Sequence, residues 1–342
     1  MLKNFRQLYN EFPTKFWTLV LATFIDRIGG TLIFPFFALY VTHKFNVGMT
    51  EAGVLLGIFS VAGLVGSVVG GALADKLGRK CMVLFGLVCS ALSSLSMGLV
   101  NDLTVFYSLA VLVGILSDIG GPAREAMIAD LLPEEKRADG FGIMRVIGNL
   151  AWVIGPSIGG FLATKSYLIL FILDAVLSIT TAIIVYLLIP ETLPEASEGQ
   201  RSQSMLDTLV GYRWVLKDRM YVAFALASML MLLAYQQLYS TLSVFLRDVH
   251  GFSEQGYGFL MSVNAGAVVL LQFWFTRKTR PYPPMLMMAL GSLFYLIGFS
   301  MFGFVSAYGL FLFATFIVTV GEMIVVPISQ ALAASFAPED MR

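Results

Sequence analysis

The sequence predicts an all-α integral membrane protein of about ten transmembrane helices. Apolar residues make up 58% of the chain and charged residues only 13%, and the mean hydropathy is +0.81. Apolar runs long enough to cross a hydrocarbon core of about 30 Å recur along nearly the whole sequence. No water-soluble core absorbs that much apolar surface in 342 residues, so lipid is the solvent for most of it. The runs are helices, because only helices and closed barrels satisfy every backbone group in lipid, and barrel strands are far shorter.

The N-terminal stretch Met1–Lys15 is polar and basic. The apolar run after it is too long for a signal-peptide core and shows no small-residue cleavage site, so it reads as a retained first span, Phe16–Val41. Thr50–Ala74, Cys81–Val100, Leu103–Leu132, Phe141–Ala163 and Tyr167–Ile189 follow. After a polar break come Met220–Phe245, Gly256–Phe275, Met285–Val305 and Tyr308–Phe336. The break, Pro190–Arg219, divides six helices from four. Its second half, Met205–Leu216, places Leu206, Leu209, Val210 and Trp214 on one side of an expected interfacial helix. The expected organisation is a six-helix bundle over 1–189, a linker over 190–219 and a four-helix bundle over 220–342.

Lys and Arg placement sets an orientation. With the N-terminus cytoplasmic, 16 of the 22 basic residues fall in cytoplasmic segments, and only Lys44, Lys165 and Arg247 fall in outer loops. Net charge is zero, which gives no signal for nucleic acid. Cys81 and Cys89 lie two helical turns apart on one span, about 12 Å, too far to pair. With His43 and His250 in distant loops they form no metal-ligand pattern.

The two halves repeat. Thr50-Glu51-Ala52-Gly53 opens the second span, and Ser253-Glu254-Gln255-Gly256 opens the eighth, 203 residues later. Pro133-Glu134-Glu135-Lys136-Arg137 follows the fourth span, and Pro338-Glu339-Asp340-Met341-Arg342 follows the tenth, 205 residues later. Two matches at nearly one offset argue for duplication of a six-helix unit, with the fifth and sixth helices of the second copy missing from this sequence. The missing helices are expected to cover the Gly-rich face of the second span (Ala62, Gly66, Gly70).

Between the second and third spans lies Gly71-Ala72-Leu73-Ala74-Asp75-Lys76-Leu77-Gly78-Arg79-Lys80. Gly71 permits close helix approach, Gly78 supplies a tight turn, and Asp75 suits the positive end of a neighbouring helix. This segment resembles the signature cytoplasmic loop of the major facilitator superfamily, with every position filled. The resemblance implies an Asp75–Arg79–Asp130 charge cluster that holds an outward-open state. The equivalent loop of the second half, Thr276–Pro281, keeps its basic residues but has no Gly or Asp. The fifth span carries Gly142, Ala151, Gly155-Pro156 and Gly159-Gly160, small residues for close packing and a proline that bends the helix. It resembles the antiporter motif of the same family, with Ala151 in place of one Gly, and implies exchange of substrate for protons.

Ionisable groups inside spans cost at least about 2.5 kcal/mol each when unpaired, which marks them as functional candidates. They are Asp26 and Arg27 in the first span, Asp118, Arg124 and Glu125 in the fourth, Asp174 in the sixth and Glu322 in the tenth. Asp26, Glu322, Asp118, Asp174 and Glu125 are the proton-coupling candidates. Glu322, in Gly321-Glu322-Met323-Ile324-Val325-Val326-Pro327, also resembles the tenth-span pattern of bacterial drug exporters in the family. Tyr235, Gln236, Gln237 and Tyr239 of the seventh span, with Asn149, Trp152, Asn264 and Arg27, are the expected lining of a cavity for amphipathic organic substrates.

The resemblance implies a major facilitator fold of two pseudo-symmetric bundles working by alternating access. It implies a monomeric, multi-pass protein of the cell membrane that exports small molecules, takes its energy from the proton gradient and needs no cofactor or metal. A nutrient or metabolite symporter on the same fold is the alternative, as is a non-transporting truncated fragment. No Gly-rich nucleotide loop followed by Lys-Ser/Thr is present, and nothing points to an enzyme.

Overall fold

The computed structural model describes residues 9, 11–193 and 219–336. The expected interfacial helix at Met205–Leu216 lies outside the described residues. Among them, ten helical segments are long and apolar enough to span a membrane. In order these are Thr14–Phe45, Met49–Leu77, Arg79–Leu99, Leu103–Asp130, Glu134–Ala163, Tyr167–Leu188, Arg219–His250, Glu254–Thr279, Pro284–Phe302 and Tyr308–Ala333. All ten expected spans are present, and the described residues outside them form turns and short connections.

Three spans are not continuous rods. The first consists of Thr14–Ile33 and Phe37–Phe45 joined by a 3-10 turn at Phe34–Phe36, where Pro35 lacks the N–H that a continuing helix needs. The fourth is split into Leu103–Ser117 and Gly121–Asp130, the second piece opening with Pro122 in its first turn. The seventh is split into Arg219–Gln236 and Thr241–His250. The fifth span starts earlier than its apolar run, at Glu134, because Pro133 leads into the helix and Glu134 and Glu135 face the positive helix end.

The described residues fall into two compact units, one drawn from Met1–Glu195 and Ser240–Ser262, the other from Ala196–Tyr239 and Val263–Arg342. In the first unit the sixth span packs against both the first and the third. The second and fourth spans meet at backbone distance: a methyl group on Gly66 or Gly70 would overlap the carbonyls of Ile115 and Ile119. Ala62, Gly66 and Gly70 are buried there. The expectation that missing helices cover this face is therefore corrected, since the fourth span covers it. Phe16, Leu19, Leu87 and Met127 anchor the core of this unit.

In the second unit the ninth and tenth spans form the closest pair. Gly291, Gly298 and Gly321 let the two backbones approach, and Met287, Met323 and Ile324 fill the contact. A cavity of about 240 Å³ opens between the seventh, ninth and tenth spans, lined by Met231, Tyr235, Met288, Tyr295 and Val325.

Candidate functional site

The first unit gathers two of the expected carboxylates. Asp26 Oδ2 pairs with Arg124 Nη1 at 2.9 Å, and the Ser178 hydroxyl lies 3.5 Å from Asp26 Oδ1. One helical turn along, Asp174 is buried and accepts a hydrogen bond from the Ser94 hydroxyl. Asp174 has room because the facing residue is Gly29, where any side chain would overlap its carboxylate. Thr181 donates to the Ala22 carbonyl at 3.2 Å, so the first and sixth spans share a polar seam. The other expected ionisable groups stay apart: Arg27, Asp118 and Glu125 are exposed, and no ion pair joins them among the described residues.

The second unit gathers Glu322 with three residues expected to line a cavity. Glu322 is only partly exposed and accepts hydrogen bonds from Asn264 Nδ2 at 3.2 Å and from the Tyr235 hydroxyl. The buried Asn264 amide also donates to Thr319 Oγ1 at 2.7 Å, which fixes its orientation. The Tyr235 and Tyr239 hydroxyls lie 3.0 Å apart, and Tyr295 stands 5.9 Å from the Tyr235 ring. No Lys or Arg pairs with Glu322 among the described residues. Gln236 and Gln237 are exposed instead, Gln237 turning back to the Leu233 carbonyl. Asn149 is half-buried, and Trp152 packs edge-on against Phe34 at 6.0 Å.

The loop motif is organised around Asp130. Arg79 Nε lies 2.8 Å from Asp130 Oδ2, an ion pair whose N–H does not point along a hydrogen-bond direction. Gly71 lies against Pro122 of the fourth span, and Lys76 is exposed. Asp75, expected in the cluster, is also exposed and stands outside it, with no ion pair among the described residues.

The fifth-span motif makes a seam with the eighth span inside the first unit. A methyl group on Gly160 would meet the Glu254 carbonyl, and one on Gly258 would overlap the Pro156 carbonyl. Gly155 and Gly159 pack on Thr31 and Leu32 of the first span, whereas Gly142 faces open space. Ser157 and Ser262 hydrogen-bond at 2.8 Å, and Phe36 meets the buried Tyr257 edge-on at 5.6 Å. At the end of the seam Tyr167 donates to Glu254 at 3.0 Å, and Arg247 reaches Thr42 Oγ1 at 3.2 Å. Ser94, Ser178 and Tyr167 carried no sequence signal, because isolated hydroxyls are common in any membrane helix, and Glu254 stood out only as part of the internal repeat.

A family profile described as Major Facilitator Superfamily matches residues 19–342. The chain belongs to that superfamily. It is 28% identical over 338 residues to a Na(+), Li(+), K(+)/H(+) antiporter of Planococcus maritimus, covering 91% of this chain and 79% of that one. It is 26% identical over 304 residues to the quinolone resistance protein NorA of Staphylococcus aureus, covering 87% of this chain and 76% of that one. Among solved structures, a bacterial homolog of the human lysosomal transporter Spinster, inward-facing and unoccupied, matches with a TM-score of 0.76. That match has 16% identity and covers 96% of this chain and 76% of that one, so it speaks for the fold alone. The Major Facilitator chain described here is a multi-pass membrane transporter and not an enzyme.

Proposed function

We propose that this superfamily member exports small amphipathic organic compounds in exchange for protons, by alternating access, as a monomer in the cell membrane with its N-terminus cytoplasmic. The segments 1–189 and 220–342 are the two halves of the transporter, joined by 190–219. Support for the orientation comes from the excess of Lys and Arg in the segments assigned to the cytoplasm. The observation that carries the reading is Glu322. It is a partly buried carboxyl with a tyrosine hydroxyl and an amide for partners, and no cation pairs with it among the described residues. Such partners serve either form of the group: both donate to the carboxylate, and the hydroxyl can accept from the protonated acid. That suits a group that takes up and gives back a proton. The aromatic rings of Tyr235, Tyr239 and Tyr295 beside it supply an amphipathic wall.

The experiment is ethidium efflux from cells loaded with the dye. Collapse of the proton gradient at constant ATP is expected to abolish efflux, and Glu322→Gln to reduce it at least tenfold. Efflux that survives both would remove proton-coupled export through Glu322.

Alkali-cation/proton exchange is the second reading. Two observations favour it: the Planococcus maritimus relative bears that name, and Asp26, Asp174, Ser94 and Ser178 offer hard oxygen ligands close together. Acridine orange in everted vesicles decides between the two. Recovery of fluorescence on addition of sodium, lithium or potassium supports cation exchange, and recovery only with organic cations supports the first reading.

A further inference from the structure

Glu191 follows the sixth span in a segment whose sequence reads only as the start of a linker. Its Oε1 accepts from the backbone N–H groups of Arg79 at 2.9 Å, Thr192 at 2.9 Å and Leu193 at 3.0 Å. Its Oε2 accepts from Lys80 N–H at 3.2 Å. Burial alone would raise its carboxyl, but these backbone donors outweigh that and hold it below the usual glutamate range.

Two further observations separate this arrangement from an ordinary helix cap. Gly78, just before the third span, has φ of 99°, and a methyl group there would overlap the Glu191 carboxylate. The motif glycine therefore does more than turn the chain: it clears the space into which Glu191 fits. Thr192, the next residue, donates to Asp130 Oδ2 at 3.3 Å, the same oxygen that Arg79 faces at 2.8 Å. Lys80 completes the knot, its Nζ donating to the Tyr186 carbonyl at 2.7 Å. The ends of the third, fourth and sixth spans thus meet at one point, without Asp75.

We infer that Glu191 is a positioning residue of the transport cycle. Its carboxylate caps the third span and, with Thr192, keeps Arg79 against Asp130, so that three span ends move as one piece. The Arg79–Asp130 pair is present while the fifth–eighth seam of the same unit is closed. This inference rests on the alternating-access part of the proposed function and is independent of which substrate is carried.

The test uses the full chain in lipid nanodiscs, with Cys81 and Cys89 replaced by Ser. Ser262→Cys is the reporter: Ser262 is 9% exposed in the closed seam, so N-ethylmaleimide reaches a thiol there when the seam parts. Glu191→Gln and Thr192→Val are introduced separately. Loss of a cap worth about 1 kcal/mol is expected to raise hydrogen exchange at the Arg79 and Lys80 amides about fivefold in the Gln chain. Labelling of the reporter is expected to slow about fivefold with Glu191→Gln and about twofold with Thr192→Val, as a bundle that flexes rocks less efficiently. Thr192→Val leaves the cap in place, so it decides the matter alone should the Gln variant fail to assemble. Unchanged labelling in both variants would reduce Glu191 to a local cap, and unchanged exchange would remove the clamp itself. Absent labelling in the parent would overturn alternating access and the positioning role together, whereas failed dye export with normal labelling touches only the substrate reading.

Discussion

Ser157 and Ser262 face each other across the fifth and eighth spans with their hydroxyl oxygens 2.8 Å apart, beside the Gly160–Gly258 contact. Two side chains that meet this closely are within reach of a disulfide. In a chain lacking Cys81 and Cys89, Ser157→Cys with Ser262→Cys is expected to cross-link under mild oxidation. Transport should fall at least about tenfold and return on reduction, because the cross-link holds the seam shut. Undiminished transport by fully cross-linked protein would show that the seam need not open.

Gly29 is the floor beneath Asp174. Gly29→Ala is expected to destabilise the transporter by about 1–3 kcal/mol, the usual cost of overpacking, read as a lower thermal midpoint in detergent. Adding Asp174→Ala should recover part of that loss by removing the carboxylate that the methyl group meets. Additive losses would place the strain elsewhere.

Arg124 is the cation that pairs with Asp26. Arg124→Ala leaves a partly buried carboxylate without its partner and should cost at most about 3 kcal/mol. Arg124→Ala with Asp26→Asn should be more stable than Arg124→Ala alone. Equal stability of the single and double variants would show that the unpaired Asp26 carboxylate carries no measurable penalty.

Glu191 has a folded-state pKa below its unfolded value. Its contribution to stability is therefore present above the unfolded value of about 4.3 and is lost as pH falls through the folded one. The difference in thermal midpoint between the parent and Glu191→Gln should be seen at pH 7 and shrink below about pH 4. Growth of that difference on acidification would reverse the assigned sign.

The spans were legible because the period of apolar residues and the length of each run follow from the thickness of the bilayer, whatever packs against them. The Gly71–Lys80 loop was legible because its glycines and charges stand at fixed offsets within one short segment. Pairings across the chain were not. Gly66 and Gly70 announce a close helix contact without naming the partner, and that partner is the fourth span. Asp26 and Asp174 are 148 positions apart, and only the packing of the first and sixth spans brings them together. Glu191 was hidden for a different reason: it acts on backbone N–H groups, which every residue except proline has, so its targets leave no trace in the sequence. The breaks in the first and fourth spans were foreshadowed by Pro35 and Pro122, whereas the break in the seventh has no proline to announce it.

That last break has a mechanical consequence. Thr241–His250 packs with the first unit and Arg219–Gln236 belongs to the second, so a single apolar run serves both. A continuous rod would carry any tilt from one end to the other. Here the rod is interrupted: the helix stops at Gln236 and restarts at Thr241. The joint keeps its own backbone satisfied in lipid: the N–H groups of Gln237, Leu238 and Tyr239 donate to the Ala234, Tyr235 and Gln236 carbonyls, and the Gln237 side chain, which reads from the sequence as a substrate contact, donates to the Leu233 carbonyl.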